Sequence, residues 1–218
     1  MKNTTAGMTF LALIFCGTAQ AAEKNIPVEA FTAVSAQQGI NLTIKCASAP
    51  ALVVSGSQDT LSKFQVTNQS GNLLLNNRAA EDDRFVSNTL NITLYTSQPL
   101  TALSGKAGVK IDAEACSVSP AQLSVKGSMG TDIRAAGKTD ELQLELAMGG
   151  SFNRKPADFS AKSATVRLSM GAETALCHIP RITGTLAAGA RMSVSPSANV
   201  DTGSVGTFAS EVSTSDCA

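Results

Sequence analysis

Apolar and polar residues alternate along much of this chain. Leu142, Leu144 and Leu146 are separated by Gln143 and Glu145; Ala164, Val166 and Leu168 are separated by Thr165 and Arg167. Leu123 and Val125 flank Ser124 and precede Lys126. A period of two sends alternate side chains to opposite faces, so these segments predict β-strands with the aliphatic set inward. Each run closes on a glycine, in Lys106-Ala107-Gly108, Ser128-Met129-Gly130, Ala147-Met148-Gly149, Ser169-Met170-Gly171, Ala187-Ala188-Gly189 and, more weakly, Ser204-Val205-Gly206. Three residues beyond the first five glycines stand Ile111, Ile133, Phe152, Thr174 and Met192, a second stackable set. No segment carries a helical period of useful length.

The glycines follow one another at 22, 19, 22, 18 and 17 residues. A period of that size marks a solenoid, in which each repeat buries its core only against its neighbours. The expectation is an all-β, single-stranded β-helix of about five to seven coils. Residues 101–218 supply the glycine-centred repeats and 22–100 a strand-rich N-terminal cap, in one continuous domain, 22–218. Glycine at the shared position lets the coil turn a corner at positive φ without a Cβ clash. The small residue two places earlier (Ser128, Ala147, Ser169, Ala187) leaves room for the neighbouring coil.

Stacking at about 4.8 Å per coil turns equal positions into columns. Lys126, Glu145 and Arg167 form a plus-minus-plus column, and Lys110 with Asp132 and Glu173 with Arg191 pair two places after their glycines. Cross-strand ion pairing accounts for these carboxylates more simply than catalysis does. Met129, Met148 and Met170 share another column. Methionine is a flexible core filler, and stacking alone produces ladders of like residues, so packing in the core is the expected role. The alternative is a soft cuprous ion, which thioethers suit. No catalytic residue, cofactor site or metal site is assigned.

The first third has a different texture. Phe31 to Val34, Gly39 to Ile44, Leu52 to Val54, Phe64 to Val66, Asn72 to Leu75 and Leu90 to Leu94 read as strands between turn residues, with Asn68-Gln69-Ser70-Gly71 as a turn. Residues from Arg78 to Arg84 read as a solvated loop. A cap is needed because an open solenoid end exposes strand edges and core.

Composition adds the compartment. Lys2, an apolar run from Met8 to Cys16, and Ala19-Gln20-Ala21 make a secretory leader cleaved after Ala21, too short to span a bilayer. Phe15 stands where a lipoprotein leader carries a small residue, which argues against lipidation at Cys16. The remaining 197 residues hold 16 basic and 17 acidic side chains, with no basic patch for nucleic acid and no later membrane-spanning segment. They contain six Phe, Tyr95 and no Trp, and that shortage of flat rings counts against a carbohydrate-active cleft. Export makes disulfides the expected fate of Cys46, Cys116, Cys177 and Cys217. Of three pairings, Cys46–Cys116 with Cys177–Cys217 is favoured because it ties down both ends. Zinc is disfavoured: no CxxC spacing exists, and the single His178 is beside a cysteine only in sequence.

The order of these pieces resembles the GIN-domain family, a family of unknown function also described as the head of an auto-transporter adhesin. The resemblance rests on Phe31-x-x-Val34 before Gly39-Ile40-Asn41-Leu42, on Leu52-Val53-Val54-Ser55-Gly56 with Asp59 and Leu61, and on Gly71-Asn72-Leu73. It continues through Ile92-x-Leu94, Pro99-Leu100 and Gly127-Ser128-Met129-Gly130-Thr131-Asp132-Ile133. It implies a right-handed β-helix on an exported protein, with no catalytic residues to carry over. The family's acidic repeat corner survives only at Asp132; Gly149-Gly150-Ser151 and Gly171-Ala172-Glu173 depart from it. Because the sequence closes on Asp216-Cys217-Ala218 without a translocator barrel or sorting tail, periplasmic residence is expected as readily as surface display. The expected function is non-enzymatic: an adhesin-like module binding an envelope protein, a polysaccharide or a cell surface. The alternatives are a polysaccharide lyase or hydrolase on the same scaffold, and a structural envelope component without a specific ligand.

Overall fold

The alternation read from the sequence becomes two sheets that share one apolar interior. The computed structural model describes residues 22–82, 88–203 and 210–217. The leader expected at 1–21, the weak repeat Ser204-Val205-Gly206 and the far end of the Arg78–Arg84 stretch lie outside the described residues.

In the repeats each rung sends one strand to each sheet. Strands β8 (Ala102–Lys106), β10 (Gln122–Ser128), β12 (Gly137–Ala147), β14 (Phe159–Leu168), β16 (Arg181–Leu186) and β18 (Asn199–Asp201) stack in parallel in a nine-stranded sheet. Strands β9 (Lys110–Ala113), β11 (Asp132–Ala135), β13 (Ser151–Phe152), β15 (Glu173–Leu176), β17 (Arg191–Val194) and β19 (Glu211–Ser213) do the same in a ten-stranded sheet. Leu103, Val125, Leu144 and Val166 stand in one register column, and Ile111, Ile133, Phe152, Thr174 and Met192 in the other, all buried. Phe152 meets Phe159 edge-on at 5.4 Å between ring centroids, which is a favoured aromatic geometry.

A corner joins the two strands of a rung. Ala107-Gly108, Met129-Gly130, Met148-Gly149, Met170-Gly171 and Ala188-Gly189 all have positive φ at both residues. The glycine is at ease there, whereas the residue before it carries a side chain in a left-handed backbone that L residues disfavour.

The expected right-handed β-helix is not what forms. The architecture is two large mixed sheets with no closed solenoid, and the cause lies in the first third. Strands β2 (Ala33–Gln37) and β3 (Ile40–Cys46) make a rung that pairs with β8 and β9, more than fifty residues later. On its other side that rung pairs with β6 (Asn72–Asn77) and β7 (Leu90–Thr96). The β2–β3 rung therefore lies one rung in from the end: the chain builds outward from it and passes over it to begin the repeats. Antiparallel strands complete the end: β4 (Ala51–Gly56) on β7, β1 (Ala22–Ile26) on β4, and β5 (Phe64–Gln69) on β6. A coil that must advance in sequence order and in one direction cannot hold these pairings. Two short helices also depart from the all-strand expectation: α1 (Gln58–Ser62), capped by the Ser57 hydroxyl, and α2 (Ala79–Asp82) inside the expected loop.

Two disulfides are present. Cys46 at the end of β3 is bonded to Cys116 in a 3-10 turn after β9, across 70 residues. This covalently holds the place where the chain passes over its first rung. Cys177, just after β15, is bonded to Cys217.

Candidate functional site

Outward positions of the parallel rungs build two polar faces. On the nine-stranded sheet, Ser35, Gln37, Asn72, Lys106, Lys126 and Glu145 line a groove of about 420 Å³. A second hollow of about 330 Å³ shares Lys126 and Glu145 and extends to Gln143, Thr165 and Arg167. Period-two alternation on stacked parallel strands places them there: every second residue of β8, β10, β12 and β14 must face solvent. Gly105 and Gly127 give the first groove only backbone, because a side chain at either would point inward, onto Thr131 and Val109 or onto Leu146 and Ile133.

Lys126 and Glu145 stand in register and pair at 3.0 Å, with Arg167 one rung further in the same column. On the other sheet, Lys110, Asp112, Asp132 and Arg134 line a hollow of about 290 Å³, and Arg154, Glu173 and Arg191 line another of about 270 Å³. Glu173 receives Arg191 at 3.1 Å and Arg154 at 3.8 Å. Lys110 and Asp132 are in register as expected, but they do not form the expected ion pair: the Asp132 carboxylate accepts the Ser151 hydroxyl at 2.7 Å from the next rung. The short serine side chain is already fixed beside the carboxylate, while a lysine must give up rotamer freedom to reach it.

The methionines are not in the core. Met129, Met148 and Met170 are 45%, 45% and 54% exposed, whereas Met192 is 1% exposed. Strand alternation continued from Val125, Leu146 or Leu168 would have turned each of them inward, but the left-handed corner breaks the alternation and turns them to solvent. The corner is tied from rung to rung, with Gly130 N–H donating to the Met148 carbonyl at 3.1 Å and Gly149 N–H to that of Met170 at 2.9 Å.

Asn153 is a residue whose role the alternation did not reveal. It is buried at positive φ directly after the two-residue strand β13. Its amide replaces the missing strand, accepting from Ala135 N–H at 2.9 Å and donating to the Ala135 carbonyl at 3.0 Å. The available signal was an asparagine, a residue that tolerates this backbone, at the point where alternation stops before Arg154-Lys155-Pro156. The four cysteines are bonded to one another, which removes them as metal ligands, and His178 is exposed. Among the described residues no three His, Cys, Asp or Glu side chains are grouped to hold a metal, and no helix is long and apolar enough to cross a membrane.

The model of the family described as "Putative auto-transporter adhesin, head GIN domain" matches residues 30–198. The chain belongs to the GIN-domain family. Among solved structures, one described as a "putative adhesin" from Bacteroides fragilis is similar to this GIN domain with a TM-score of 0.59 at 13% identity, covering 89% of this chain and 98% of that one. At that identity the likeness is one of fold, and it supports the two-sheet architecture. A "putative lipid binding protein" from Parabacteroides distasonis (TM-score 0.48, 12% identity, 90% of this chain and 97% of that one) and a "putative adhesin" from Parabacteroides merdae (0.47, 13%, 90% and 97%) are more distant. No curated protein matches this GIN domain.

Proposed function

We propose that this GIN domain is a non-enzymatic binding module of the bacterial envelope, exported by a leader at residues 1–21 and folded as one domain over 22–218. It engages an adhesin-type partner, an envelope protein, a polysaccharide or a cell surface, through its flat polar faces. The observation that carries this reading is the pair of adjoining grooves centred on Lys126 and Glu145, built from fixed in-register rungs. Rigid rungs present many weak contacts already ordered, so little entropy is lost on binding. Acids engaged with bases (Glu145 with Lys126, Asp140 with Lys162, Glu173 with Arg154 and Arg191) weigh against a lyase or hydrolase, which needs free carboxyls converging on one bond.

The test is crosslinking in intact cells followed by capture of the tagged protein, run in parallel with Lys126→Glu. The expected result is a defined partner set that the substitution depletes. Capture of the same set by both proteins would remove the groove from the account, and turnover of a glycan panel would replace binding with catalysis.

A further inference from the structure

We propose that the corner column Met129–Met148–Met170 is a binding site for a soft monovalent cation, the cuprous ion, held by thioether sulfurs on the outer edge of the domain. The site is separate from the groove and does not depend on what the groove binds.

The first argument is placement. The three methionines occupy the same position of three consecutive rungs, with nearly the same φ of 56°, 49° and 51°. Equal backbone conformation launches equal side chains in parallel, and the rung-to-rung hydrogen bonds from Gly130 and Gly149 fix their spacing. Neighbouring rungs lie about 4.8 Å apart, so the outer two methionines are about 10 Å apart across Met148. A methionine side chain has three rotatable bonds and bends readily, so the outer two can close on a point above the middle one.

The second argument is that neither folding nor packing asks for methionine here. Each carries a Cβ in a left-handed backbone, where asparagine or glycine is favoured. Each exposes about half of an apolar side chain. The same corner is Gln38 on the first rung, Ala107 before the column and Ala188 after it, so the turn accepts polar or small residues equally. Outside the expected leader the sequence contains four methionines, and three of them are in this column. The fourth, Met192, is the core filler.

The third argument is chemistry. Neutral thioethers are soft donors that select cuprous ion over zinc or the hard divalent ions. Ala107 and Ala188 hold the same corner on either side of the column, so the donor side chains at this position are the three thioethers. An exposed set of this kind takes up and releases its ion without unfolding, unlike a buried cage.

The test uses the exported protein with both disulfides formed and any free thiol blocked with iodoacetamide, so that sulfur binding reports thioethers alone. Cuprous ion is titrated anaerobically against a chromophoric chelator, and silver(I) serves as a redox-inert probe in NMR of methyl-labelled methionine. The expected result is one ion per chain with a dissociation constant below about micromolar. A sulfur-only copper absorption spectrum and silver-induced shifts at Met129, Met148 and Met170 but not Met192 should accompany it. Met148→Leu, which conserves volume at an exposed site, is expected to weaken binding roughly tenfold or more, and zinc is expected not to bind. Absence of binding below micromolar, or binding unchanged in the triple leucine variant with an unaltered far-UV spectrum, overturns the proposal.

Discussion

The repeats and the first third use the same strands and the same core chemistry, yet only the repeats advance rung by rung in sequence order. From β8 onward each rung rests on the one before it, and like residues stack because the corners recur. Before β8 the chain builds outward from its first rung, β2 and β3, adds antiparallel edges and returns over itself. The contrast shows that a repeated turn fixes register locally, while the order of rungs is fixed by pairings that join distant segments. One end of the stack is thereby edged by antiparallel strands, and its junction with the repeats is held by Cys46–Cys116.

The sharpest way to break the comparison is a core deletion in the repeats. Phe152→Ala removes a ring that is fully buried against Phe159 and should cost about 3–5 kcal/mol in urea unfolding. Hydrogen exchange should then accelerate across β11 to β15 while β4 and β5 keep their protection. Loss of protection everywhere would show that the two regions unfold as one.

Next in size are the disulfides. Closing 70 and 40 residues is worth about 4 kcal/mol each in the chain-entropy model. Replacing Cys46 and Cys116 by serine should loosen the junction and lower stability throughout, whereas replacing Cys177 and Cys217 should release chiefly β19. Exchange mapped by mass spectrometry distinguishes the two outcomes. Asn153→Ala comes third: it orphans a buried N–H and carbonyl on Ala135 and should cost about 1–3 kcal/mol in thermal or urea unfolding.

The smallest effect compares two left-handed turns, one in each region. Ser70-Gly71 closes the β5–β6 hairpin with φ of 51° and 79°, and Met148-Gly149 closes a rung with 49° and 71°. Asparagine is preferred before glycine in such turns, so Ser70→Asn and Met148→Asn should each raise stability by up to about 1 kcal/mol. A loss at Met148 would mean that its side chain packs against something.

Much of this was legible in the residues. Leu142, Leu144 and Leu146 announced their strand and its inward face, and equal offsets from the glycines gave the columns of Lys126 with Glu145 and of Glu173 with Arg191. The two-sheet architecture was not legible, because a glycine every 17 to 22 residues recurs whether or not the coils close into a solenoid. Nothing within β2 or β3 says that β6 and β7 will lie on one side and β8 and β9 on the other; that is a choice among distant partners. The exposure of the methionines was hidden for a third reason. Alternation predicts facing only while the backbone stays extended, and it fails at the first left-handed residue, which here is the methionine itself. The first groove, in turn, gathers outward residues of β2, β6, β8, β10 and β12, which needs the rung order and not only the repeat.

Peroxide footprinting of the folded protein, read by peptide mass spectrometry, tests most directly the arrangement of stacked left-handed corners facing outward over a buried second column. Met129, Met148 and Met170 should oxidise together and early, with Met192 untouched until the chain unfolds. Protection of the three corner methionines, or oxidation of Met192 at the same rate, would contradict it.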